Sequence, residues 1–107
     1  MKRKHETDVI YNDFEWNEDK AEKNFRKHNV AFEEAATIFD DPFFIIFKDP
    51  AHSFRELRFI IIGMSDKLRP LFVSFVEQES RTRIISAREL TAKERKDYEN
   101  KRQPFRR

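Results

Sequence analysis

The sequence has no cysteine and a single glycine among its 107 residues. Without cysteine the chain can form neither a disulfide framework nor a thiolate site for zinc or an iron–sulfur cluster, which fits a reducing compartment. With one glycine it carries none of the glycine-rich signatures that cradle a nucleotide phosphate or present a hydrolase nucleophile. Nucleotide-dependent enzymes and hydrolases of the nucleophile-elbow type are therefore excluded.

Long apolar runs and paired metal ligands are also lacking. The longest apolar runs, residues 43–47 and 59–62, are far too short to cross a membrane. The charged start of the chain is not followed by an apolar stretch of signal-peptide length. The three histidines, at positions 5, 28 and 52, show no paired ligand spacing. We expect a cytoplasmic protein with no membrane partner, no metal and no cofactor.

Charge is abundant but unevenly placed. The net charge is +2, yet the first 50 residues sum to −4 and the stretch from Arg81 onward sums to +6. This C-terminal quarter carries a positive field that can attract a polyanion. The alternative is a solvated face followed by a basic tail.

A content of 12 phenylalanines and 38% hydrophobic residues argues for a packed core despite the high charge. The length fits one domain. We expect a disordered extension over residues 1–8, a domain over residues 9–103 and a basic tail over residues 104–107. The core is expected to include phenylalanines at periodic positions: Phe25, Phe32, Phe39, Phe44, Phe59, Phe72 and Phe75.

Two helices are predicted in the first half of the chain. Asn17 is a good N-cap. The positions after it follow the spacing of one helix face: Ala21, Asn24, Phe25 and His28. Asn29 tolerates the left-handed conformation that ends a helix. The same spacing recurs from Phe32 to Phe39, and Pro42 stops this second helix.

Strands are predicted next, over residues 43–47, 57–64, 71–76 and 83–87, with a short first strand within residues 9–16. The stretch 83–88 alternates less cleanly and is expected at a sheet edge. Gly63, inside a strand pattern, indicates a bulge or the close approach of another backbone.

Thr91 and Glu94 form a capping box, which predicts a third helix running to about Lys101. The predicted fold is therefore α+β: one antiparallel sheet of four to five strands with two N-terminal helices and one C-terminal helix.

The remaining polar residues suit metal-free work on an RNA phosphodiester. Attack by the 2′-OH needs a group that takes its proton, a donor to the leaving oxygen and cations for the charge on phosphorus. Lys20, Lys27 and His28 lie on neighbouring stripes of the first helix. Arg58 is unusual inside an apolar strand, because its fork fits a phosphate as well as a carboxylate. A larger set of residues could contact substrate: Lys27, Glu56, Arg83, Ser86 and Tyr98.

Each candidate also has a structural interpretation. His28 could interact with the last carbonyls of its helix. Arg58 could form an ion pair with a carboxylate such as Glu56, which shares its strand face. Ser86 and Arg88 share a face by parity, but they could equally decorate an edge strand.

A set of short motifs resembles the BrnT family of bacterial toxins. The match covers about residues 9–100, and its motifs are FEWN at 14–17, KH at 27–28, FEEA at 32–35, FDDP at 39–42, RF at 58–59, IG at 62–63, RIISAR at 83–88 and ER at 94–95, with Lys20, Asn24, Val30 and Tyr98.

The resemblance implies a RelE-like ribonuclease toxin of a type II toxin-antitoxin system, which cleaves RNA and inhibits translation. It also implies a co-encoded BrnA-like antitoxin that neutralises the toxin. Operator DNA would be bound only through the ribbon-helix-helix domain of that antitoxin. The residues that match the family motif by position are Lys20, His28, Arg58, Ser86 and Arg88, with Tyr98 matching more loosely.

The resulting hypothesis is an endoribonuclease in which Arg58 and Arg88 clamp the scissile phosphate. Lys20 stabilises negative charge, and His28 transfers the proton. The alternatives are a non-catalytic basic module that binds RNA or protein as a regulator, and an inactive scaffold that only co-represses with its antitoxin.

Overall fold

The structure, a computed structural model, describes residues 7–101. Its elements in chain order are β1 (Asp8–Tyr11), β2 (Phe14–Asn17), α1 (Glu18–His28), α2 (Phe32–Thr37), β3 (Ile45–Lys48), β4 (Arg58–Met64), β5 (Pro70–Glu77), β6 (Thr82–Glu89) and α3 (Ala92–Lys101), with short 3₁₀ turns at Ile38–Asp40 and Pro50–His52. None of the helices in this part of the chain is long and apolar enough to cross a membrane.

The sheet has six strands in the order β1-β2-β6-β5-β4-β3 and is mixed. The short strand predicted within residues 9–16 is instead a hairpin, because Asn12 adopts a left-handed conformation (φ 57°) at its turn. β2 then runs parallel to β6. The sheet therefore has six strands rather than the predicted four to five, and it is antiparallel as predicted except at the β2–β6 pair. The placement of residues 83–88 at an edge is also wrong, since β6 lies between β2 and β5. The two predicted N-terminal helices follow this hairpin, and the second is shorter than predicted, because Phe32–Thr37 passes into the 3₁₀ turn at Ile38–Asp40.

Helix α1 begins and ends where the sequence predicts. The side chain of Asn17 accepts a hydrogen bond from the Lys20 backbone N–H at 3.0 Å, and Asn29 ends the helix with φ 58°. The buried amide of Asn24 donates to the Ala87 carbonyl at 2.8 Å and accepts from the Ala87 N–H at 3.1 Å. β2 pairs with β6 over Thr82 and Arg83. Farther along β6, the Asn24 amide makes the hydrogen bonds to the Ala87 backbone that a neighbouring strand would otherwise make.

Strand alternation divides the apolar side chains between two faces of the sheet. One face, with Ile61, Val73 and Ala87, packs with α2 and with Ala21 of α1. The opposite face, with Ile60 and Phe72, packs in part against Tyr98 of α3. Two phenylalanines predicted in the core are half exposed instead, Phe25 at 50% and Phe44 at 44%.

The single glycine lies inside β4, against the 3₁₀ turn at Ile38–Asp40. A Cβ atom on Gly63 would lie 3.0 Å from the Ile38 carbonyl oxygen, which confirms the predicted close approach. The buried carboxylate of Asp41 fits beside it and accepts the Met64 backbone N–H at 2.7 Å. The buried hydroxyl of Tyr98 donates to the same carboxylate. Asp41 therefore attaches α3 to β4.

A second buried carboxylate joins the helical layer to the β4–β5 turn. Glu34 of α2 accepts hydrogen bonds from Ser65 Oγ at 2.7 Å and from Arg69 Nε at 3.0 Å. Burial raises the pKa of Glu34, but the bonds from Arg69 and Ser65 outweigh burial and leave this pKa lowered. Arg69 also binds Glu89 at 3.1 Å and the Asn29 carbonyl at 3.0 Å.

The domain boundaries predicted near the ends fall partly outside the described residues. Residues 1–6 of the expected extension and the whole tail, residues 104–107, lie outside them. Thr7 is buried and accepts a hydrogen bond from the Asn17 side chain at 2.9 Å, and Asp8 is the first residue of β1.

We expect Tyr98→Phe to destabilise the protein by about 1–3 kcal/mol, because it removes a donor from a buried carboxylate. Urea unfolding monitored by circular dichroism measures the change. Tyr11→Phe is the matched control, since Tyr11 is 39% exposed on β1, and we expect it to change stability by less than about 0.5 kcal/mol. Equal stability of the two variants would contradict the role given to the Tyr98 hydroxyl.

Candidate active site

Helix α3 leaves part of its sheet face open, and there the surface forms a groove of about 510 Å³. We call it the cationic groove. Polar side chains form its walls and apolar ones much of its floor; the lining residues are Phe47, Lys48, Asp49, Pro50, His52, Arg58, Ile60, Phe72, Ser74, Ser86 and Arg88. The groove brings together three residues proposed from sequence: Arg58, Ser86 and Arg88.

Arg88 is fixed on one wall of the groove by four contacts, one of which is the hydrogen bond from its Nη1 atom to the Glu89 carbonyl at 3.0 Å. Its guanidinium binds both oxygens of Glu94, at 2.8 and 3.0 Å. It also lies 3.9 Å above the centre of the Phe72 ring. Glu94 is itself held, because it forms the predicted capping box with Thr91. The result is a planar cation in a set orientation, which suits bidentate recognition of a phosphate.

The ion pair with Arg88 changes the acidity of Glu94. The hydrogen bonds from Arg88 lower the pKa of Glu94, burial raises it, and the hydrogen bonds with Thr91 lower it further. The net result is a pKa lowered from 4.5 to about 2. Glu94 therefore stays ionised at neutral pH and partly neutralises Arg88.

Arg58 faces the groove from the start of β4. Its Nε atom lies 3.3 Å from Glu56 Oε2, and both side chains reach solvent. Such a pair is worth little in water, so Arg58 can exchange this carboxylate for a phosphate. Glu56 is outside the cationic groove and lines a neighbouring cleft.

His52 is the groove residue that sequence reasoning missed, because it was considered only as a metal ligand. Its Nδ1 atom lies 2.9 Å from Asp49 Oδ2. An ionised carboxylate can only accept, so Nδ1 carries the proton and Nε2 is left for a substrate. The usable signal was the segment DPAH at 49–52: proline opens a short 3₁₀ turn and places His52 against Asp49.

Three predicted residues lie on α1 and do not line the groove: Lys20, Lys27 and His28. Ala21 of this helix packs with the core on the opposite face of the sheet. Lys20 and His28 are also separated by eight residues, or about 12 Å along the helix axis. The structure therefore does not bring them together with Arg58 and Arg88.

Two further predicted substrate contacts are engaged elsewhere. Arg83 binds Asp8 at 3.1 Å and Glu15 at 2.8 Å, which holds the first hairpin to β6. Burial lowers the pKa of Arg83, but the hydrogen bonds and charges of Asp8 and Glu15 outweigh burial and leave this pKa raised. Tyr98 is 1% exposed and donates to Asp41.

Comparison with known proteins identifies the family. Residues 16–94 match the family described as ribonuclease toxin, BrnT, of type II toxin-antitoxin system. The chain belongs to the BrnT family. The matched span contains Asp49, His52, Arg58, Arg88 and Glu94. BrnT proteins are named as ribonuclease toxins of a system that includes an antitoxin partner.

A solved structure agrees with this assignment at the level of the fold. The crystal structure of the Brucella abortus ribonuclease toxin BrnT superposes with a TM-score of 0.56 and 24% sequence identity. The match covers 71% of the present chain and 92% of the Brucella chain. Among curated proteins, no relative matches the sequence.

We expect the pKa of Glu94 to lie at about 2 in the wild type and to rise towards 4.5 in Arg88→Ala. A folded-state pKa below the unfolded value stabilises the protein above pH 4.5, and this contribution is lost as the pH falls towards 2. Carboxyl ¹³C NMR titration measures both values. The lowered pKa of Glu34, which depends on Arg69 and Ser65, is the internal control and should stay unchanged. An unchanged Glu94 titration would contradict the ion pair.

Proposed function

We propose that this BrnT protein is an endoribonuclease that cleaves RNA in the cationic groove without a metal ion. The observation that carries the proposal is the position of His52. It is oriented by Asp49 in the same groove as Arg58 and Arg88, in a chain whose family is named for ribonuclease activity.

The chemistry follows from what these side chains can do. An imidazole can accept and donate a proton near neutral pH. Nε2 of His52 removes the proton of a ribose 2′-OH, and the 2′-oxygen forms a bond to the adjacent phosphorus. The bond from phosphorus to the 5′-oxygen breaks, and water protonates the leaving oxygen. The products end in a 2′,3′-cyclic phosphate and a 5′-hydroxyl.

The arginines stabilise the charge that develops on phosphorus. Arg58 and Arg88 approach the groove from β4 and from β6, so a phosphate between them meets a guanidinium on each side. Both are partly neutralised by carboxylates, Glu56 and Glu94, that the substrate replaces. The Phe72 ring still holds the Arg88 guanidinium when Glu94 is replaced. A cation kept in place in this way favours the transition state because it needs little rearrangement during the reaction. Ser86, exposed on the same strand face as Arg88, contributes a hydroxyl to substrate binding.

Cleaving cellular RNA in this way stops translation, which accounts for the toxicity that the family name states. We assign the activity to the bacterial cytoplasm, where the RNA is. In this proposal His52 takes the proton-transfer role that the sequence suggested for His28. Lys20 and Lys27, on α1, do not line the groove and have no part in the cleavage step of this proposal.

We expect His52→Ala to lower RNA cleavage by roughly 10²- to 10⁴-fold, the usual contribution of a general base. His28→Ala is the matched control and should cleave at the wild-type rate. The assay uses purified protein, freed of any antitoxin, with end-labelled RNA in EDTA, with and without ribosomes. Mass spectrometry of the products detects the 2′,3′-cyclic phosphate.

Three other outcomes would overturn parts of this proposal. Loss of cleavage in His28→Ala alone would return the proton-transfer role to His28. If EDTA abolishes cleavage, the reaction needs a metal ion, which contradicts the proposed metal independence. If the wild type leaves RNA intact even with ribosomes, a non-catalytic binding module replaces the enzyme.

We further propose that the antitoxin, a BrnA-like protein with a ribbon-helix-helix domain that contacts operator DNA, pairs with the outer edge of β3. β3 is the last strand of the sheet on its side. It exposes Ile46 and Phe47 at 43% and 44%, and Phe43 and Phe44 before it are similarly exposed. Phe47 also lines the cationic groove. A strand of the antitoxin added at this edge would cover apolar surface and the groove together.

We expect Ile46→Asp to lower antitoxin affinity by about tenfold or more, because a charge replaces an apolar contact at the interface. RNA cleavage should not change, since Ile46 pairs with Ile61 and faces away from the groove. Calorimetric titration measures the affinity. Ile10→Asp, 62% exposed on the opposite edge strand, is the matched control. Equal loss in both variants would argue against β3 as the contact.

A further inference from the structure

A second cleft adjoins the cationic groove on the loop between β3 and β4. It has a volume of about 500 Å³ and is lined by Ala51, His52, Phe54, Arg55, Glu56 and Arg58. His52 and Arg58 belong to both cavities. Any strand of RNA whose phosphate lies between Arg58 and Arg88 therefore passes next to this cleft.

We propose that Phe54 is a stacking platform for a nucleobase, and that the substrate of this protein is single-stranded RNA. The inference rests on the proposed ribonuclease function and adds the substrate class. An unpaired base has a free face that can stack on an aromatic ring, whereas the bases of a duplex stack on one another.

The exposure of Phe54 separates it from the other surface phenylalanines. Its side chain is 92% exposed, while those at positions 25, 43, 44 and 47 are between 44% and 50% exposed. Both faces of the ring are thus open to a ligand. Arg55 beside it and Arg58 in the same cleft supply cations for the neighbouring phosphates.

The loop presents this ring from an anchored backbone. The Asp49 N–H donates to the Arg58 carbonyl at 2.9 Å and closes the loop at the end of the strand ladder. Ser53, the residue before Phe54, donates from Oγ to the Asp49 carbonyl at 2.6 Å and accepts the Arg58 N–H at 3.0 Å. Anchoring at both ends lowers the ordering cost when a base binds.

The polar surroundings favour RNA over a protein partner. The cleft is lined by His52, Arg55, Glu56 and Arg58 around one aromatic ring, which combines stacking with cations for a backbone. The continuous apolar surface that a protein strand needs lies instead along β3. Glu56 is the one carboxylate in the cleft, and it lies beside Arg58.

The test measures binding of a 5′-labelled, 2′-O-methylated single-stranded RNA, which lacks the attacking hydroxyl, by fluorescence anisotropy. Stacking on an aromatic side chain is worth about 1–3 kcal/mol per base, so Phe54→Ala should weaken binding roughly 5- to 150-fold. Phe54→Trp should restore it. Phe25→Ala, an exposed phenylalanine on α1, is the matched control and should bind as the wild type does.

An abasic scan locates the base. We expect one abasic position to weaken binding to the wild type, and the same position to cause no further loss in Phe54→Ala, because both changes remove one interaction. A perfectly paired RNA duplex should bind equally to the wild type and to Phe54→Ala.

The outcomes distinguish this inference from the function on which it rests. If the wild type cleaves RNA while Phe54→Ala binds and cleaves equally well, the stacking site is wrong and the ribonuclease function stands. If Phe54→Ala loses affinity for the antitoxin but not for RNA, Phe54 is a protein contact and the inference is overturned. If the wild type neither binds nor cleaves RNA, both proposals fail.

Discussion

The buried carboxylate of Asp41 joins parts of the molecule that are far apart in the chain. It accepts the Met64 N–H of β4 and the Tyr98 hydroxyl of α3. The backbone can bring it there because Gly63 has no Cβ. Through Tyr98 this carboxylate positions α3, whose surface is poor in apolar residues and supplies little packing of its own. α3 in turn carries Glu94, which holds Arg88 in the groove. The orientation of a groove cation thus depends on a buried contact outside the groove.

The parts of the fold that sequence predicted are those set by local chemistry. Asn17, Asn29 and the Thr91–Glu94 capping box act within a few residues, so their patterns identify the ends of α1 and the start of α3 without knowledge of the rest. The hairpin at Asn12 was missed because its turn has no glycine. The parallel pairing of β2 with β6 was missed because it joins positions such as Glu15 and Arg83, which are 68 residues apart. No local pattern indicates that β6, inside the sheet, pairs with the first hairpin.

The candidate site was predictable to a similar depth. Arg58 was found because a cation in an apolar strand is unusual. Ser86 and Arg88 were found because strand parity puts them on one face and they match the BrnT motif by position. Helical spacing places Lys20 and His28 on one helix but does not state on which side of the sheet that helix packs. The loop that carries His52 and Phe54 has no periodicity, so only its short proline turn and the ladder bonds of Asp49 and Arg58 fix its position.

Glu94, paired with Arg88, competes with any anion that binds Arg88 in the groove. A lone small anion must displace a carboxylate held by two hydrogen bonds, and it brings no second anionic group on the same chain. A nucleic acid strand brings several phosphates on one chain, so once the first is bound the next arrives at a high effective concentration. In the proposed function, a polymer therefore competes with Glu94 for Arg88 better than a single small anion does, a form of selectivity that requires no contact with any base.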